Sequence, residues 1–160
     1  MIVDFSKLSF TFSKKPLLIG GMAMEYYGLR KSGVDIDLVV CREDIEKLVN
    51  KYPQNLKDLW GDLGIAVYDF EIWKTVRYFD YVYLKEDAIE KGNYLIISLD
   101  KLLLQKAVAM KEEKYFNDLK LIVKKIQLNQ LEKFEQMKSE NQSILSKVSN
   151  VQYVEKIGEN

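Results

Sequence analysis

Histidine is absent from the 160 residues, and cysteine occurs once, as Cys41. Without imidazole there is no Ser–His–Asp or Cys–His catalytic arrangement and no histidine-held zinc. A lone cysteine makes no intrachain disulfide and no thiolate metal cluster, which suits a reducing compartment. Any metal is left with carboxylate ligands, and oxygen donors favour hard cations such as Mg2+. No apolar run approaches the length of a membrane span, and the N-terminus lacks the basic-then-apolar layout of a secretion signal. These absences predict a soluble, cytoplasmic protein with no membrane contact. Charge of one sign is missing too: 24 Lys+Arg balance 24 Asp+Glu, which disfavours a bulk-electrostatic nucleic-acid binder.

Turn residues are scarce and unevenly spread. The only prolines are Pro16 and Pro53, and every glycine but Gly158 precedes residue 93. The punctuated part is therefore the first hundred residues, and the remainder reads as helix. Charge divides in the same place. Residues 101–160 carry 11 Lys against 8 acidic residues, so the first hundred are the acidic part. The Lys-rich remainder reads as a solvated helix face, with RNA contact the sharper alternative.

At 48% hydrophobic and 12% aromatic the chain has enough apolar surface for one core. Pro16-Leu17-Leu18-Ile19, ending at Gly20-Gly21, reads as a buried strand. A helix over 22–29 follows, then a β-branched strand over 34–40 and an amphipathic helix over 42–51. Pro53 and Gly61 bracket an irregular stretch. Residues 64–84 (GIAVYDF, EIWKTV, YFDYVYL) and 94–97 read as strands. Ser98 is placed to cap a helix beginning near Leu99. Further helices are expected over 115–126 and 128–148, the latter with a sparse apolar stripe at Leu131, Phe134, Met137 and Ile144. Such a stripe suits an edge-packed helix, one held by a partner, or self-association. Trp60, Trp73 and the tyrosines are expected in the core and at strand edges, and Cys41 as an inert core residue. The expected class is α+β (α/β), with a small mixed sheet flanked by helices. The expected division is a core over 1–98, a helical segment over 99–150 and a frayed tail over 151–160.

The chemistry lies in Gly20-Gly21 and in Asp35-Ile36-Asp37. On a strand, side chains two apart share a face, about 7 Å apart at Cα. Two carboxylates on one face repel each other and are costly if buried unpaired; a divalent cation removes that cost. Gly20-Gly21 falls where a strand turns into a helix, a junction whose free N–H groups suit phosphate oxygens. A phosphate site beside a carboxylate pair is what Mg2+-dependent phosphoryl or nucleotidyl transfer requires.

The segment PLLIGGMAMEYYGLRKSGVDIDLVV resembles the signature of the DNA polymerase β-like nucleotidyltransferase superfamily. Its Gly-Gly form followed by Tyr-Gly is similar to the small prokaryotic members associated with toxin–antitoxin and abortive-infection systems. ISLDKLLLQKAVAMKEEKYFNDLKLI resembles the family's helical segment, so the likeness spans about residues 17–126. The resemblance implies three acidic residues on the sheet. Asp35 and Asp37 match the first two as Mg2+ ligands. The third comes from Glu71, Asp69 or Asp80, and Glu71 is preferred because it stands alone between Phe70 and Ile72. Lys106, Lys114 and Asp118 match the helical positions. Arg30, Lys31 and Ser32 precede the Asp pair, where the family often has a basic residue and a hydroxyl.

The function so implied is transfer of an NMP from an NTP to a hydroxyl on an RNA 3′ end, tRNA included, or on a protein side chain. A toxin-type enzyme checked by a cognate antitoxin is one form of it. An antibiotic-modifying enzyme ranks lower, because the chain is short for a drug-binding domain. The alternative is a catalytically silent nucleotide- or protein-binding module on the same fold.

Overall fold

The computed structural model describes residues 3–148 and Asn150. The expected tail over 151–160 lies outside the described residues. The architecture is α+β around a mixed sheet. In chain order the elements are β1 (Leu17–Leu18), α1 (Gly20–Tyr26), β2 (Ile36–Val39), α2 (Arg42–Lys51), β3 (Leu56–Leu59), β4 (Asp62–Val67) and β5 (Phe70–Trp73). They continue as β6 (Thr75–Val76), β7 (Phe79–Asp80), α3 (Tyr81–Leu84), β8 (Ile89–Lys91), β9 (Tyr94–Ile96), α4 (Leu99–Val108) and α5 (Glu113–Leu145). Two compact units divide at Lys124/Lys125, and α5 runs through the division.

The sheet runs β3-β4-β5-β2-β1-β9-β8. Its two parallel pairs, β2 with β5 and β1 with β9, lie near the middle, and the other neighbours are antiparallel. Central strands buried on both faces should be continuously apolar. Leu17, Leu18, Leu38, Val39, Ile72 and Ile96 meet that rule and are all buried. The exceptions are Asp37 and Glu71, which stand opposite each other in the β2–β5 register.

Local chemistry explains most element limits. α2 is as the sequence predicts: Glu43 and Asp44 stand in its first turn, and the pairs Arg42–Glu46 and Glu43–Lys47 lie one turn apart. Asp44 is fully buried and accepts the Ser13 N–H at 2.9 Å and the Cys41 thiol at 3.2 Å, so it ties the N-terminal segment to α2, and Cys41 is buried as expected. Ser98 caps α4 by accepting the Lys101 N–H.

Several expectations need correction. The first helix starts at Gly20, not 22, and ends at Tyr26. The strand expected over 34–40 is Ile36–Val39, and Val34 is exposed. YFDYVYL is not one strand, because Asp80 caps the short α3 by accepting the Tyr83 N–H. The helices expected over 115–126 and 128–148 are one, since no Gly or Pro interrupts 113–145. β3 and β8 are strands that the sequence does not announce, because neither has a strong alternating pattern. Trp73 is buried, but Trp60 is 65% exposed. Among the described residues no helix is long and apolar enough to cross a membrane.

Gly64 on β4 pairs with Trp73 on β5. A Cβ on Gly64 would come within 2.4 Å of the Trp73 ring. The missing side chain is what lets that ring lie across β4, beneath the Lys57 ammonium at 5.6 Å. Gly64→Ala therefore overpacks the sheet and is expected to cost about 1–3 kcal/mol, measured as a lowered urea midpoint.

Candidate functional site

The acidic pair is held by the turn into α1. Gly20 has φ +63°, and a Cβ there would fall 2.0 Å from Asp37 Oδ2. Only glycine allows both the left-handed backbone and the close approach. Asp37 also accepts the Gly21 N–H.

Glu71 stands beside Asp37 on the parallel neighbour β5. It is the one residue of that strand that is not buried, so it opens onto the same side. Burial raises the Asp37 pKa to about 6, and the Glu71 charge pushes the same way against the Gly21 bond and Lys106. Asp35 precedes β2, is exposed, and adds a smaller push. Asp35, Asp37 and Glu71 line one cleft of about 290 Å³ together with Gly20 and Gly21.

The other expected acids are elsewhere. Asp69 pairs with Lys7 at 2.8 Å and Asp80 caps α3; neither lines the cleft. Lys31 is exposed, and Ser32 donates to Glu25 at 2.5 Å; these too lie off the cleft.

The basic wall is built around Asp118. This buried carboxylate on α5 accepts from Arg30 at 2.6 and 2.9 Å and pairs with Lys106 of α4 at 2.8 Å. Burial works to raise the Asp118 pKa, but the bonds from Arg30 and Lys106 outweigh it and hold the carboxyl below its ordinary value. Burial lowers Lys106 despite Asp118. Asp118 thus pairs with Arg30 and Lys106 and not with Lys114 one turn away. Arg30, Lys106 and Lys114 all line the cleft. Tyr115 lies there as well, 4.8 Å beneath the Lys106 ammonium, with its phenol pKa raised by burial.

The carboxylates are a suitable donor set for a hard cation: Asp37 is half-buried, has no basic ion-pair partner among the described residues, and stands beside a second acid. As they stand, however, no group of three or more ligating side chains among the described residues is arranged to hold a metal ion. Glu71 is turned to Lys57, 2.5 Å away.

Sequence reasoning missed Trp60, Asp62, Arg77 and Gln105, all of which line the cleft. Arg77 and Trp60 sit at turns with no motif around them. Gln105 stands out in the sequence only as the neighbour of Lys106. Compared with family models, curated proteins and solved structures, the chain finds no match in any of the three.

Two outcomes follow from these charges. The Asp37 pKa is raised on folding, so its ionised form costs stability, beginning near the ordinary value of 3.8 and in full above about 6. Asp37→Asn should therefore stabilise the metal-free protein at pH 7 by roughly 1–3 kcal/mol, with the gain gone by pH 4, in urea melts at both pH values. Asp118→Ala leaves Lys106 and Arg30 without their shared counter-charge. It should cost about 3 kcal/mol, seen as a lower unfolding midpoint at pH 7.

Proposed function

We propose that the protein is a Mg2+-dependent nucleotidyltransferase that moves an NMP from an NTP to a hydroxyl acceptor. The observation that carries this reading is the Asp37–Glu71 pair on adjacent parallel strands, one acid buried against Gly20, in a cleft whose other wall is basic. A structural core has no use for two facing carboxylates at the centre of a sheet.

Asp35, Asp37 and Glu71 would hold Mg2+, which when bound supplies charge neutralisation at the triphosphate and acidifies the attacking hydroxyl. Lys106 and Lys114 draw the phosphates to the basic wall, and Asp118 keeps Lys106 and Arg30 in place. Glu71 takes the acceptor's proton. The acceptor oxygen forms its bond to the α-phosphorus as the bond to the bridging oxygen breaks, and pyrophosphate leaves with that electron pair. The acceptor is an RNA 3′ end or a protein side chain. Control by a cognate antitoxin belongs to this reading as an extension.

One observation favours a second reading, a nucleotide-binding module without catalysis. Glu71 is paired with Lys57 rather than grouped with Asp35 and Asp37.

Transfer of label from α-labelled NTPs with Mg2+ onto bulk tRNA and total protein separates the two. The enzyme labels one pool, and Asp35→Ala/Asp37→Ala reduces the signal by about a hundredfold or more. Nucleotide binding with no label in either pool supports the module.

A further inference from the structure

The cleft also carries a ledge that the proposed chemistry does not use. Trp60, at the turn between β3 and β4, is 65% exposed although it lines the cleft. The Arg77 guanidinium lies 4.2 Å from the centre of its ring. Arg77 makes no ion pair among the described residues, so its charge is left for the cleft.

This contact is built, not incidental. Trp60 and Arg77 both have left-handed backbones, φ +55° and +62°, which bulky residues adopt only where the surroundings impose them. Asp62 is one source of that constraint. It is buried, follows the Trp60 turn directly, and accepts both the Arg77 N–H and the Thr75 hydroxyl. One carboxylate thus ties the turn carrying the ring to the turn carrying the guanidinium. A second sign of a missing ligand lies in the same cleft. Gln105 is 7% exposed, and its amide nitrogen has no hydrogen-bond partner. A buried donor left unpaired is rare unless something else accepts from it.

We infer that the Trp60–Arg77 ledge stacks the nucleobase of the bound nucleoside triphosphate, with Gln105 donating to an acceptor of the same ligand. This rests on the nucleotidyltransferase reading and extends it from the phosphates to the base. A planar base suits an indole and guanidinium ledge, and stacking of this kind tolerates different bases. The adjoining basic wall suits the triphosphate.

The test titrates the full chain, with MgCl2, against ATP, GTP, CTP and UTP, and separately against tripolyphosphate, which has the phosphates but no base. Calorimetry reads affinity. Tryptophan emission reads the cleft, which both tryptophans line, and the part of the quench that Trp60→Gly removes belongs to the ledge. The nucleotides should quench emission and tripolyphosphate should not. Trp60→Gly and Arg77→Gly suit the left-handed backbone and remove the side chain. Each should weaken nucleotide binding about tenfold and leave tripolyphosphate unchanged. Nucleotides that bind both variants as tightly as wild type overturn the ledge and leave the nucleotide reading standing. Tripolyphosphate binding as tight as that of all four nucleotides does the same, as does an equal loss of both probes in the variants. A wild-type chain that binds neither probe overturns both.

Discussion

The Asp37 carboxylate rests in the space that a side chain at position 20 would fill, and this approach orders much of the site. It requires glycine at the turn into α1 and brings the Gly21 N–H onto the carboxylate. It also removes the acid from water while the β2–β5 register sets Glu71 beside it. Burial first, and the neighbouring Glu71 charge second, raise the Asp37 pKa to about 6. A perturbed carboxylate beside a second acid in a cleft is the physical ground of the functional reading.

The rest of the cleft balances that charge without cancelling it. Arg30 and Lys106 are drawn together by Asp118, so the basic wall carries its own counter-ion and need not fold onto Asp37. The cleft thereby carries both acidic and basic groups, an arrangement that under the proposed function suits a ligand bearing both a hard cation and phosphates. The ledge follows the same logic, since Asp62 binds the Arg77 main chain and leaves its guanidinium charge free.

How far the site is legible in the sequence follows from the range of the interactions involved. Gly20, Gly21, Asp35 and Asp37 lie within one short stretch whose spacing has a direct physical meaning. Glu71 stands out from Asp69 and Asp80 in the sequence because a lone acid among apolar strand residues is unusual, and the register sets it opposite Asp37. What stays hidden depends on distant partners. Nothing near Asp118 in sequence says that it holds Arg30 rather than Lys114. Likewise, nothing near Trp60 says that Arg77 lies over it. The fold shows the same division. α2 and the Ser98 cap are local and legible, whereas β3 and β8 exist through pairing with β4 and β9. α3 is easily misread because its cap, Asp80, sits inside a stretch of strand-forming aromatics.

The Lys57–Glu71 contact is the main objection to a catalytic reading, and magnitudes decide its weight. Both side chains are partly exposed, 39% and 28%, and a pair of that kind contributes about 0.2–1 kcal/mol. The penalty on ionised Asp37 is greater, up to roughly 3 kcal/mol by the size of its shift. Under the proposed function, a divalent cation arriving with a triphosphate would offset that penalty and require only the weak ion pair to be given up. Lys57 also lies over the Trp73 ring that Gly64 leaves room for, a contact that does not involve Glu71. The ion pair is therefore weak enough to be displaced. Meanwhile it offsets part of the repulsion between Glu71 and Asp37 without locking Glu71 in place.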